Sequence, residues 1–209
     1  MYNFTIPMAL MDFVPVIFFG ITAVLLLRDL YNKMFKGAYA LLAAGCVNVF
    51  LAGFCKATWK LLYAANICDF VALEEMFMPV NSLGLLFVGL SLIGMLCWKR
   101  KGAMLSVAPV AFTSSMPFIM MMVVGLGGMC ASLSILAAKM KKGRVMILFI
   151  LSFVCAMAMG YMSSQDSTQS WVNWVEQSIN TVSQLCLMLG TIALHKAGLK
   201  TWTWEGAGV

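Results

Sequence analysis

The chain alternates long apolar runs with short basic clusters, and that alternation sets the elements it predicts. Apolar stretches fall at residues 5–27, 38–62, 79–98, 117–138, 145–162 and 174–195. Each has about the 20 residues a helix needs to cross 30 Å of hydrocarbon. The clusters between them are Arg28, Lys33 and Lys36; Lys99, Arg100 and Lys101; Lys139, Lys141, Lys142 and Arg144; and Lys196 with Lys200. Cytoplasmic loops of membrane proteins carry the excess of Lys and Arg, so all four clusters are placed on the inner side.

That placement makes the segment from Ala103 to Ala138 leave and return to one face within 36 residues. It reads as a short helix at 103–116 followed by the full helix 117–138, turning near Thr113-Ser114-Ser115-Met116-Pro117. A re-entrant half-helix at 103–116 is the alternative with the same sidedness. The expected fold is all-α: one integral membrane domain over 1–209, a bundle of seven transmembrane helices, amino terminus outside and carboxyl terminus inside. No basic residue precedes the first run, so it is expected to stay as a helix and not to be removed as a signal peptide.

The aromatic residues give an independent reading of the same boundaries. Tyr2, Trp59, Tyr63, Tyr161, Trp171 and Trp174 fall near the outer boundary, and Tyr31, Tyr39, Trp98, Trp202 and Trp204 near the inner one. Belts of Trp and Tyr at the two interfaces are the expected pattern.

Weak internal similarity suggests helical-hairpin repeats. KMFKGAYAL at Lys33, KRKGAML at Lys99 and KKGRVMI at Lys141 each put lysine and glycine before a helix running outward. DFVPV at Asp12, EEMFMPV at Glu74 and SSMPF at Ser114 each place a polar residue shortly before proline. Glu75 precedes Gly89 by the same fourteen residues that separate Glu176 from Gly190. Transporter folds are often built from such repeats, with binding sites at corresponding levels.

Composition agrees with the membrane reading: 62% of residues are hydrophobic and the mean hydropathy is +0.93. The net charge of +6 is uneven, because the inner side carries twelve of the fourteen Lys and Arg with only Asp29 and Glu205 against them. This excess sets orientation and favours anionic lipid at the inner face, and no nucleic-acid partner is needed to explain it. The expected location is the cell (plasma) membrane.

Depth separates the acidic residues. At about 1.5 Å per residue, Asp12 lies some 24 Å outward of Arg28 and Glu176 some 28 Å outward of His195. Asp12 is therefore within the hydrocarbon, where a carboxylate is expensive and usually functional. Lys56 lies at a similar level, on a helix face with Asn48, Ala52 and Lys60, and is the expected partner of Asp12. The last helix carries a polar stripe of Gln177, Thr181, Gln184 and Thr191, flanked by Glu176, Asn180 and Ser183, which predicts that it faces the bundle interior. In the pair Glu74-Glu75, Glu75 shares a face with Ser82 and Gly89 and is expected to border the same space, with Glu74 solvated. The candidate binding residues are Asp12, Lys56, Glu75, Glu176 and Asn180, around an outward-facing polar vestibule.

Several chemistries lack parts. His195 is the only histidine, which excludes multi-histidine metal sites, and the seven cysteines are scattered singly with no CxxC. Met116 and Met120 have a spacing that thioether copper sites use, but no His or Cys cluster joins them, and methionine as apolar filler is the better account. No metal, cofactor or catalytic residue is expected. Glu74-Glu75 superficially resembles the glutamate pair of CAAX-type intramembrane proteases, whose arginine and histidines are missing. Two function classes remain: a transporter of a small solute or cation, or a receptor or complex subunit that binds a ligand outside and a membrane-protein partner.

Overall fold

A computed structural model describes residues 5–97, 115–162 and 170–202. Its helices are α1 (Ile6–Met11), α2 (Phe13–Leu30), α3 (Lys36–Ala64), α4 (Ala72–Glu75), α5 (Phe77–Cys97), α6 (Ser115–Lys139), α7 (Gly143–Met162) and α8 (Ser170–Lys196), with no strand among the described residues. Five stretches are long and apolar enough to cross a membrane: Ile6–Leu30, Lys36–Ala64, Ala72–Cys97, Met116–Lys139 and Gly143–Met162. At 27 residues α8 has the length as well, but Glu176, Gln177, Asn180 and Gln184 make it less apolar.

Of the expected seven spans, then, six correspond to long helices. The segment 103–116 lies outside the described residues up to 114. The turn expected at Thr113–Pro117 is not found in its described part, because Ser115, Met116 and Pro117 form the first turn of α6. Proline is tolerated there, since the first turn's N–H groups have no intrahelical acceptor.

Helix ends follow local backbone chemistry. At the end of α3, Asn66 adopts φ 54° and the Ile67 N–H reaches back to the Leu62 carbonyl at 3.1 Å. The end of α6 repeats this with Lys141 at φ 56° and Lys142 N–H to the Ala137 carbonyl at 2.9 Å. In both, a left-handed residue lets the chain cap its own orphan carbonyls. Prolines inside helices do the opposite. The chain departs from regular helix at Asp12 and at Met76, each three residues before a proline, Pro15 and Pro79. Proline supplies no N–H and its ring crowds the carbonyl four residues back.

The six long helices form a closed ring in the order α2, α3, α5, α6, α7, α8, each packed on its two neighbours, with α8 returning to α2. Residue pairs give the directions. Asp12 meets Lys60 and Gly20 meets Phe50, so α3 opposes α2. Gly45 lies against Val88 and Lys56 against Phe77, so α5 opposes α3. By contrast, Asn81 approaches Met122 and Ile93 approaches Gly128, so α5 and α6 run parallel. Helices α7 and α8 are antiparallel, through Ser152 with Ser183 and Phe149 with Gly190. Finally α8 is parallel to α2, with Gln177 at Met11 and His195 at Asp29. Arg28, Lys33, Lys36, Lys139, Lys141, Lys142, Arg144, Lys196 and Lys200 thereby collect at one end of the ring, the basic end. Asp69, Glu74, Glu75 and Glu176 lie at the other, the acidic end.

Outward faces are apolar: Ile17, Ile21 and Val24 on α2, and Ile147, Ile150, Leu151 and Val154 on α7 are exposed. Inside, Leu26, Leu30, Leu42, Val88, Leu92, Met129, Leu133, Leu136, Leu187 and Leu194 fill the half of the ring toward the basic end. Between lipid-facing helices the hydrophobic effect contributes little, and close van der Waals packing of small residues takes its place. Gly45 with Gly84 joins α3 to α5, and Gly89 with Gly125 joins α5 to α6. One expected belt residue is placed differently: Trp59 is 2% exposed and donates its Nε1–H to Asp69 at 3.0 Å, anchoring the loop after α3.

The glycine contacts generate a prediction. A Cβ on Gly89 would overlap the Gly125 carbonyl oxygen, whereas one on Gly160 meets nothing within 4 Å. Gly89→Ala is therefore expected to destabilise the protein by about 1–3 kcal/mol through overpacking and Gly160→Ala to leave it unchanged, measured as midpoints of unfolding in detergent. Equal midpoints for the two variants would show that α5 and α6 are not in backbone contact.

Candidate functional site

Pro15 organises the site. Its missing N–H leaves the Met11 carbonyl without an intrahelical donor, in a setting where a bare carbonyl costs several kcal/mol. The buried Gln177 of α8 supplies the donor, Nε2 to Met11 O at 3.2 Å. A bond that α2 cannot make internally thus attaches α8 to it. Next to this junction, Asp12 is 7% exposed and its Oδ2 accepts from Lys60 Nζ at 2.7 Å. The other carboxylate oxygen, Oδ1, is buried with no hydrogen-bond partner.

These residues line a cavity of about 310 Å³ at the centre of the ring, to which all six long helices contribute. Asp12, Lys56, Lys60, Asn81, Glu176, Gln177, Asn180 and Gln184 form its polar part. Phe19, Phe50, Phe77, Leu85, Met122, Leu126 and Met157 form its apolar part. At the acidic end the lining reaches the exposed Gly160, and toward the basic end it stops at the leucine-rich layers. The Oε1 of Gln184, deeper along α8, is another buried acceptor with no partner.

Four of the five candidate residues, Asp12, Lys56, Glu176 and Asn180, meet at this cavity. The fifth does not. Glu75 is exposed and outside the lining, while Glu74 is half-buried and lies within the fields of Lys56 and Lys60. Neither glutamate lines the cavity: the face shared by Glu75, Ser82 and Gly89 presupposes one continuous helix, and the chain turns at Met76 ahead of Pro79. Ser82 and Gly89 do pack inward. Asp12 and Lys56 do line the same cavity, but the direct ion pair is made one helical turn away. Asp12 binds Lys60, and Lys56 instead holds its ammonium 4.2 Å from the centre of the Phe77 ring, a cation–π contact. Depth along straight helices could not resolve a single turn across a proline break.

A second polar cluster, at the basic end, was not singled out from the sequence. Asp29, 2% exposed, accepts from His195 Nδ1 at 2.8 Å, and Arg28 Nη2 lies 2.6 Å from His195 Nε2. A guanidinium has no acceptor, so in that contact Arg28 is the donor. Lys33, in the turn after α2, donates to the Trp202 carbonyl, and burial pushes its ammonium below the usual lysine range, with Asp29 opposing the shift. The only histidine, at the inner end of the last apolar run, was the available signal for this cluster.

Among the described residues no group of His, Cys, Asp and Glu could hold a metal ion. All seven cysteines are free, with Cys46, Cys130 and Cys186 buried in helix packing. Set against family models, curated proteins and solved structures, the chain matches none. Its class rests on its own architecture: an α-helical protein with five stretches able to cross a membrane, whose long helices ring a central cavity.

Two stability predictions follow from the site. Gln177→Leu should cost about 1–3 kcal/mol by stranding the Met11 carbonyl, and at least half of that loss should vanish in a Pro15→Ala background, where the N–H of residue 15 can take over; additive effects of the two substitutions on the unfolding midpoint would refute the coupling. Lys60→Met should destabilise by about 3–5 kcal/mol by leaving Asp12 buried and unpaired, clearly more than Lys56→Met in the same assay. The reverse ranking would assign the ion pair to Lys56.

Proposed function

We propose that the chain is a plasma-membrane transporter of a small solute or cation, and that the central cavity is its binding site in an outward-open state. The observation that carries this reading is the cavity itself. It is enclosed by all six long helices, reaches the acidic end, contains the buried Asp12–Lys60 pair, and is stopped toward the basic end by apolar layers. Buried charge at the level of a discontinuous helix is where solute sites of transporters lie.

In this reading the chain crosses the membrane seven times, amino terminus outside. Two observations support it. All the described basic residues except Lys56 and Lys60 lie at one end of the ring, as cytoplasmic residues should. Helices α5 and α6 are parallel, so Cys97 and Ser115 lie at opposite ends, and the 98–114 segment has to join them.

The ring also supports a repeat, of three helices and not of hairpins. Helices α2, α3 and α5 and helices α6, α7 and α8 follow the same sequence of directions, and each half meets the other through a parallel pair, α5 with α6 and α8 with α2. The similar lysine-glycine turns before α3 and α7, and Glu75–Gly89 against Glu176–Gly190, fall at equivalent places. Two such halves rocking about the cavity would alternate access between the two sides.

Substrate-driven uptake by the purified protein in proteoliposomes tests the function; a stoichiometric membrane-protein partner with no transport would favour the receptor or subunit class. Sidedness is tested separately. Cys68 is exposed at the acidic end and Cys97 at the basic end. A membrane-impermeant maleimide should label Cys68 on intact cells and Cys97 only after permeabilisation. Labelling of Cys97 on intact cells would invert the topology.

A further inference from the structure

Among the described residues four ionisable side chains line the cavity, Asp12 and Glu176 against Lys56 and Lys60, so their formal charges balance. A site without net charge exerts no net pull on a bare ion, which would have to shed its hydration for mostly apolar walls. The balance is nevertheless not used up within the protein. Asp12 Oδ1 is buried and has no hydrogen-bond partner, while Oδ2 holds Lys60. Lys56 makes no ion pair among the described residues and rests on the Phe77 ring. An aromatic face attracts an ammonium through its quadrupole and leaves N–H donors available. Lys56 and Lys60 are four residues apart on α3, about 5–6 Å between their Cβ atoms. Asp12 and Lys56, each with hydrogen-bonding capacity the protein does not use, therefore line one cavity from neighbouring helices.

We propose that the cavity binds a small amphipathic zwitterion, with adjacent ammonium and carboxylate groups on an apolar body, the chemistry of an apolar α-amino acid. The ligand ammonium donates to Asp12 Oδ1 and its carboxylate accepts from Lys56. The apolar body lies against Phe19, Leu126 and Met157. A volume of about 310 Å³ is at the small end of ligand pockets. A bare amine answers Asp12 and leaves Lys56 unanswered; a bare acid does the converse; a zwitterion satisfies both without changing the charge of the site. This rests on the proposed function only in taking the cavity as a ligand site.

The test is calorimetric titration of the full chain in detergent with leucine and phenylalanine, with the matching amines 3-methylbutylamine and phenethylamine, and with the matching acids 4-methylpentanoate and 3-phenylpropanoate. At least one amino acid is expected to bind about tenfold or more tightly than its own amine and its own acid, since each fragment loses one charge-assisted contact. Lys56→Gln, with its unfolding midpoint checked, should bring that amino acid down to the affinity of its amine while leaving the amine within about twofold. The proposal is overturned if neither amino acid binds at millimolar concentration, if a fragment binds as tightly as its parent, or if folded Lys56→Gln keeps the preference. Leucine binding without uptake in proteoliposomes would reject transport and leave the zwitterion site standing; uptake of an inorganic cation without amino-acid binding would do the reverse.

Discussion

A helix in hydrocarbon has to satisfy every backbone polar group within the protein, and Pro15 prevents α2 from doing so alone. The Met11 carbonyl has lost its donor, and the nearest solution is a side chain from another helix, Gln177 of α8. That requirement explains why the least apolar of the long helices is held beside the first, and why the ring closes where it does. A polar α8 could not face lipid, and α2 needs a donor. Each helix meets the other's requirement.

The ring is joined by two kinds of contact with different physical character. Along α3, α5 and α6 the contacts are between glycines, so backbones touch and attraction comes from dispersion over closely approached surfaces. Around α2 they are polar: Lys60 to Asp12 toward α3, Gln177 to Met11 toward α8, and His195 to Asp29 toward α8 at the opposite end. Two of these polar contacts lie at the cavity, and the glycine contacts bring the remaining helices close enough to enclose it. The charged residues of the cavity come from the break between α1 and α2, from α3 and from α8, while every long helix but α8 adds apolar side chains to its wall and Asn81 of α5 adds a polar one.

What could be read from the sequence was whatever depends on one helix at a time. Apolar run length identified the six long helices, the basic clusters among the described residues gather at one end, and Asp12 is buried and partnered. The polar stripe from Glu176 to Gln184 had to turn inward, and it lines the cavity. These follow from solvation, which each residue meets individually at a given depth in the membrane.

Tertiary structure decided which residues meet. The choice of Lys60 over Lys56 for the Asp12 ion pair, and the absence of Glu75 from the cavity wall, go with helix breaks at Asp12 and Met76 that rotate side chains relative to a straight helix. The parallel pairing of α5 with α6 and the Asp29–His195 contact across 166 residues lie beyond any spacing rule. Solvation is a property of a residue and its depth, and the sequence carries it. Pairing depends on the relative rotation and register of two helices, which close packing of the whole ring sets.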